Sequence, residues 1–184
     1  ARDIREAFCT AREVGFACIN MDLIAGLPQD SVEGFRDSLE EVLALRPENI
    51  TVHTLAMKKG SRLMEEGGAL PSSEETGRMV NLSLEALEGA GYRPYYLYRQ
   101  KYMSGGLENV SWCLPGTENH YNIIMMEELQ SVLSLGAGGV TKLVDRSSGR
   151  IVRLTNPKYP HDYLAMSAKV LEQKDEILRF YREV

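Results

Sequence analysis

Residues 18–29 read CINMDLIAGLPQ. Cys18 to Gly26 is a short, nearly continuous apolar run, the pattern of a strand buried in a parallel sheet. Side chains alternate across a strand, so Ile19, Met21 and Leu23 share one face. Cys18, Asn20, Asp22 and Ile24 share the other. Two polar residues on that second face need partners or a ligand, because an unpaired buried carboxylate is costly. Asp22 falls toward the C-terminal end of the predicted strand, where α/β proteins place ligands. A carboxylate there can accept hydrogen bonds from ribose hydroxyls or an amino group. Equally, Asp22 can cap the following loop, with Gly26-Leu27-Pro28 only a turn.

Upstream, Ile4, Phe8, Ala11 and Val14 recur on one helical face, and Gly15 is a natural stop. The helical pattern starts at Ala1, which is not a methionine, and no Ser, Thr or Asp caps it. That start fits a chain cut in or before a helix. Downstream, Ser31 is an N-cap for a helix carrying Phe35, Leu39, Val42 and Leu43, ended by Pro47. Asn49 to Leu55 is a second predicted strand. Ser72 and Glu75 have capping-box spacing and open a helix bearing Met79, Leu82, Ala86 and Leu87. The β-α-β-α order implies a parallel sheet.

Beyond Gly91 the pattern changes. Tyr92 to Met103 is aromatic and strand-like, with a Gly105–Gly106 turn and a hairpin partner at Glu108 to Cys113. A short helix is predicted over Met125 to Val132. Thr141 to Asp145 and Arg150 to Thr155 form a second predicted hairpin, turning through RSSG. Pro160 to Val184 is a final helix with Tyr163, Met166, Val170, Ile177, Leu178 and Tyr181 inward. With no repeat, linker or low-complexity segment, residues 1–184 are expected to be a single domain.

The 184 residues can bury a sizeable core, and 43% hydrophobic with 26% charged residues is ordinary for a globular protein. A formal charge of −5 argues against a nucleic-acid platform or an anionic membrane surface. No apolar run is long enough to span a bilayer, and no signal peptide opens the chain. Cys9, Cys18 and Cys113 are too scattered for a disulfide framework or a compact metal motif. Reduced thiols in a reducing compartment are the expectation.

Other features carry two meanings each. Gly136, Gly138 and Gly139 allow tight chain packing or close approach to a ligand, without P-loop or GxGxxG spacing. Lys58, Lys59, Arg62, Arg99 and Lys101 form a solvated surface or, in a cleft, meet a substrate with several carboxylates. His53, His120 and His161 lack metal-ligand spacing, and His53 reads as a core or cleft residue. Tyr92, Tyr95, Tyr96, Tyr98 and Tyr102 can stack as a wall or pack a half-buried strand. No serine or cysteine nucleophile motif is visible.

In combination these segments are more specific. NMDLIAGLPQ (Asn20 to Gln29) resembles the strand-plus-loop motif of radical S-adenosylmethionine (SAM) enzymes of the oxygen-independent coproporphyrinogen III oxidase family. PENITVHTLA (Pro47 to Ala56), GYRPYYLYRQ, ENHYN (Glu118 to Asn122) and LGAGGVTK (Leu135 to Lys142) follow in that family's order. VHTLAMKKGSRL and YYLYRQK look closest to its divergent coproporphyrinogen dehydrogenase-like branch.

The resemblance implies an α/β fold: the C-terminal part of a radical SAM, partial TIM-type barrel, with flanking antiparallel strands and a C-terminal helix. It implies S-adenosylmethionine and a [4Fe–4S] cluster held by a CxxxCxxC loop. This chain has no such loop, so the cluster-binding half is expected before Ala1 and the fragment alone is expected to be inactive. The parent would be a cytoplasmic oxidoreductase of porphyrin and haem biosynthesis. It would take an electron donor and decarboxylate propionate side chains of a porphyrinogen through a 5′-deoxyadenosyl radical. By resemblance Asp22, Ala56 and Val140 contact S-adenosylmethionine. Lys58, Arg62 and Arg99 are candidates for substrate carboxylates. A haem-binding chaperone of the same family and a radical SAM enzyme with another substrate are the alternatives.

Overall fold

A computed structural model describes residues 2–57, 62–63, 69–99 and 107–183. The chain divides into two compact units, Ala1–Asn119 and His120–Val184. The first contains α1 (Arg2–Val14), β1 (Asn20–Ala25), α2 (Val32–Leu45), β2 (Asn49–Thr54), α3 (Ser73–Gly89), β3 (Arg93–Tyr98) and β4 (Asn109–Cys113). The second contains α4 (His120–Met126), β5 (Val140–Val144), β6 (Ile151–Thr155), α5 (Pro160–Ala165) and α6 (Ser167–Glu183). The α/β class expected from the sequence is therefore present. No helix among the described residues is long and apolar enough to cross a membrane.

Local chemistry sets the ends of the elements. The Ser31 hydroxyl accepts from Gly34 N at 3.1 Å and opens α2. Arg46, left-handed at φ 52°, closes it, and Pro47 cannot extend it. At α3 the capping box forms as its spacing predicts: the Ser72 hydroxyl accepts from Glu75 N, and the Glu75 carboxylate accepts from Ser72 N.

The four-stranded sheet runs β1-β2-β4-β3. β1 and β2 are parallel, from Asn20 opposite Asn49 to Ala25 opposite Thr54. β4 is antiparallel to both β2 and β3. The predicted pairing of the aromatic strand with residues 108–113 is present, but β4 also inserts beside β2. One sheet face packs on α2 and α3: Leu23, Ala25, Ile50, Val52 and Trp112 meet Phe35, Leu39, Met79 and Leu87. Each Leu, Ile, Val, Phe or Met among them contributes about 1.5–3 kcal/mol by leaving water.

The predicted apolar face of α1 is only partly buried. Phe8 is covered, while Ile4 is 59% and Val14 71% exposed. The helix lies beside β1, whose one strand partner among the described residues is β2. It therefore has a single strand to pack on, too narrow for its whole stripe.

In the second unit the β5–β6 hairpin forms as expected. The helix expected at Met125 to Val132 lies earlier, at α4. Glu128 is left-handed at φ 53°, and Val132 exchanges backbone bonds with Lys142 at 2.7 and 2.9 Å. Pairing with β5 thus claims the groups a helix would use. The expected last helix breaks at Met166 into α5 and α6. Phe180, outside the expected inward set, is the buried residue, whereas Leu178 and Tyr181 are exposed. The glycine segment packs against its own chain: Asn156 Nδ2 donates to Gly136 O at 2.8 Å, and Gly138 N to Pro157 O at 2.8 Å.

Asp145 closes the hairpin turn. Its carboxylate accepts from the Ser148 hydroxyl and from the Ser147 hydroxyl and amide, which holds its pKa down from 3.8 to about 2. A carboxyl depressed by folding contributes stability above its unfolded value and loses it as pH falls through the folded one. The turn should therefore loosen between pH 3.8 and about 2. Amide exchange at Ser147 and Gly149 should accelerate across that window in the wild type, with no such step in Asp145→Asn.

Candidate functional site

The sheet face turned away from α2 and α3 is polar. β1 brings Asn20 and Asp22, and β2 brings Asn49, Thr51 and His53. In register with them stand Cys113, Ser111 and Asn109 of β4, then Tyr96 and Tyr98 of β3. A strand's period of two puts all of these on one side.

A line of contacts runs across all four strands. The Thr51 hydroxyl donates to Asn20 Oδ1 at 3.1 Å, so the Ser111 hydroxyl, 2.7 Å away, donates to Thr51. Asn20 Nδ2 donates to Asp22 Oδ1 at 2.7 Å. His53 Nε2 stands 3.6 Å from Asp22 Oδ2, just beyond hydrogen-bond reach. On the other side of the imidazole, Tyr98 Oη lies 3.1 Å from Nδ1. With Nε2–H turned to the carboxylate, Nδ1 is the acceptor and the tyrosine hydroxyl the donor.

Asp22 is the charged member of this line. His53 first, against partial desolvation, and then Asn20 hold its carboxyl below the ordinary range. Its side chain is 57% exposed. It is oriented by neighbours on one side and open on the other, as a ligand acceptor should be. The cost of burying a bare carboxylate does not arise here.

Asp22 borders a cleft of about 310 Å³, with His53, Thr54, Ala56, Tyr98 and Asn109 around it and Ile24 and Leu55 as apolar flank. The turn that leads out of β1 depends on Gly26: its φ is 86°, and a Cβ would meet Thr76 Oγ1 at 3.1 Å. Two atoms of cleft-lining residues, Thr54 Oγ1 and Asn109 Nδ2, are buried with no hydrogen-bond partner.

Two of the residues singled out from the sequence, Asp22 and Ala56, thus line one cleft. Val140 opens β5 in the second unit and is exposed. Arg62 is exposed. Arg99 is exposed too, and its guanidinium lies 3.1 Å from Glu108. Neither arginine is among the cleft-lining residues. Lys58 lies outside the described residues, as do Lys59, Lys101 and Tyr102. Sequence reasoning passed over Thr54 and Asn109. The alternation of Thr51 and His53 hinted at a polar face, but nothing local to Asn109 shows that β4 slots in beside β2.

Donor chemistry separates the two cofactors that the resemblance implies. Cys9 on α1 and Cys18 in the loop before β1 are exposed, and Cys113 is buried, its thiol pushed up to about 11 by burial. Among the described residues no three His, Cys, Asp or Glu side chains converge as a metal site. These cysteines do not fit an iron–sulfur cluster. The cleft, with the open Asp22 carboxylate as acceptor, does fit a polar ligand the size of an adenosyl or amino-acid group.

Comparison with known proteins gives concordant likenesses. The chain is 39% identical over 181 residues to the oxygen-independent coproporphyrinogen-III oxidase-like protein HemZ of Bacillus subtilis, spanning 97% of this chain and 36% of HemZ. It is 36% identical over 94 residues to the oxygen-independent coproporphyrinogen III oxidase of Helicobacter pylori, 49% of this chain and 20% of that protein. With the haem chaperone HemW of Escherichia coli it shares 22% identity over 176 residues, 96% of this chain and 42% of the chaperone. Among solved structures, the coproporphyrinogen III oxidase HemN of Escherichia coli, described as a radical SAM enzyme, has the same fold. The TM-score is 0.61 at 20% identity, covering 85% of this chain and 35% of that one. No protein-family model matches the chain.

Proposed function

Because this chain belongs to the family of the oxygen-independent coproporphyrinogen III oxidases, we propose that it forms part of the S-adenosylmethionine-binding wall of a cytoplasmic radical SAM oxidoreductase. Its reaction would be oxidative decarboxylation of propionate side chains on a porphyrinogen, in haem biosynthesis. The chain spans 36% of the length of HemZ, and the activity is proposed for an intact protein that contains it.

One observation carries the proposal: Asp22, preset by Asn20 and His53, stands open in the cleft that also holds Ala56. Asp22 would accept hydrogen bonds from ribose hydroxyls or the amino group of S-adenosylmethionine, and the backbone at Ala56 would lie against it. By resemblance alone, Val140 of the second unit is a further candidate contact for S-adenosylmethionine. When bound, S-adenosylmethionine supplies the hydrogen-abstracting chemistry. The residues of this chain bind, orient and exclude water. A [4Fe–4S] cluster, fed by an electron donor, would sit on cysteines other than Cys9, Cys18 and Cys113. Lys58, Arg62 and Arg99 would meet substrate carboxylates.

The test uses the intact protein, reconstituted with iron and sulfide without oxygen. Asp22→Ala should weaken S-adenosylmethionine binding at least tenfold, the order of one charge-assisted hydrogen bond, with iron content unchanged. Equal affinity in the two proteins would remove Asp22 from the site, and a wild type that binds none would end the proposal.

The similarity to HemW extends over 96% of the chain, which favours a haem-carrying role as the second possibility. Haem binding without turnover of coproporphyrinogen III would select it. Turnover of a different substrate would select a radical enzyme of other specificity.

A further inference from the structure

The two oxygens of Asp22 face partners on different strands. Asn20 Nδ2 donates to Oδ1 at 2.7 Å. The Asn20 amide is itself fixed, because its oxygen accepts from the Thr51 hydroxyl at 3.1 Å. Oδ2 faces His53 Nε2 at 3.6 Å. The χ2 torsion of a histidine is broad, and an imidazole that turns over presents a carbon where Nε2 stood. His53 therefore needs a second anchor to keep that nitrogen toward Asp22. The anchor comes from β3: Tyr98 Oη lies 3.1 Å from Nδ1, with the two rings edge to face at 6.2 Å. β4 lies between β2 and β3, so this contact crosses a whole strand. Asp22, His53 and Tyr98 all line the same cleft.

Packing does not account for the Tyr98 hydroxyl. The Tyr98 ring stacks with Tyr96, with 7° between the planes and 6.2 Å between centroids, and a phenylalanine ring would make the same contact. What the hydroxyl adds is a partner for Nδ1. A neutral imidazole that accepts at Nδ1 carries its proton on Nε2, the nitrogen turned to Asp22. The opposite tautomer would face the carboxylate with a lone pair. His53 is also foremost among the groups that hold the Asp22 carboxyl below the ordinary range.

We propose that Tyr98 is a positioning residue: its hydroxyl fixes the ring and the tautomer of His53, and through His53 it sets the Asp22 carboxylate for the ligand. This rests on the function proposed above and extends the site from β1 to the far edge of the sheet. A ligand then meets a carboxylate already in one orientation and does not have to order it on binding.

A cycle of Tyr98→Phe, His53→Phe and the double variant tests this in the intact reconstituted protein. S-adenosylmethionine binding is measured by calorimetry and folding by thermal melt. Tyr98→Phe should bind roughly three- to tenfold more weakly, the order of one neutral hydrogen bond. His53→Phe should lose at least as much. The double variant should bind no more weakly than His53→Phe alone, because without the imidazole the hydroxyl has nothing to position. His53→Gln, whose amide offers an N–H close to where Nε2 stood, should recover part of the His53→Phe loss. If His53→Phe does not fold, the same cycle is read with Asp22→Ala in its place. Unchanged affinity in Tyr98→Phe, even with a lower melting temperature, overturns the proposal. So do losses that multiply in the double variant, which would put Tyr98 against the ligand itself. Either result leaves the role of Asp22 standing. A wild type that binds no S-adenosylmethionine overturns both.

Discussion

Trp112→Ala is expected to lower the free energy of unfolding by about 3–5 kcal/mol, the range for deleting a buried large aromatic. Trp112 lies on β4 between Ile50 of β2 and Pro94 of β3, facing α2 and α3, and is 3% exposed. It belongs to the apolar cluster with Phe35, Leu39, Met79 and Leu87. Alanine leaves a cavity where three strands meet, and the fully buried neighbours cannot collapse into it without straining their rotamers. A loss of this size is about a fifth or more of the roughly 5–15 kcal/mol that stabilises an ordinary domain. Trp112 is the one tryptophan in the sequence, so denaturant unfolding should be followed by far-ultraviolet circular dichroism. The midpoint should fall with an unchanged slope, and Trp112→Phe should recover part of the loss. A change below about 1 kcal/mol would show that β4 is not seated in this core.

Glu48→Ala should cost about 2–3 kcal/mol, second in size. Both oxygens of Glu48 accept from Arg12 Nη2, at 2.6 and 2.7 Å, and Oε2 also accepts from Ile19 N at 2.9 Å. The pair ties α1 and the start of β1 to the start of β2, and the Glu48 side chain is only 17% exposed. Alanine strands both the Arg12 charge and the Ile19 amide. Burial works against the Glu48 charge, but Arg12 and the backbone amides outweigh it and hold the carboxyl below 4.5. The stabilisation is therefore complete above that value and fades as pH falls through the lower folded one. Glu48→Gln keeps an acceptor for Ile19 N, so it should cost less than alanine and lack this acid-dependent step. Equal acid sensitivity in Glu48→Gln would place the step elsewhere.

Much of the first unit was legible before any coordinates. Ser31, Ser72 and Glu75 cap their helices by short-range hydrogen bonds that spacing alone reveals. The alternation in residues 18–26 set Asp22 on the face opposite Leu23, whereas His53 stayed open as a core or cleft residue until the strands were in register. Places where prediction and structure part share a cause. Val132 pairs with Lys142 instead of extending a helix, and Phe180 rather than Leu178 turns inward. In each case a contact distant in sequence outbids local propensity.

What the sequence determined by itself is a set of parts: the caps that open α2 and α3, which face of β1 is polar, and that a carboxylate stands toward the end of β1. Only the tertiary structure decided that β4 lies between β2 and β3, which brings Asn109 to the cleft of Asp22, Thr54 and Tyr98. Caps and alternation are written within a few residues of one another, so one window of sequence contains their energetics. A strand's choice of neighbour is settled by the burial of the whole sheet, and no single window contains that.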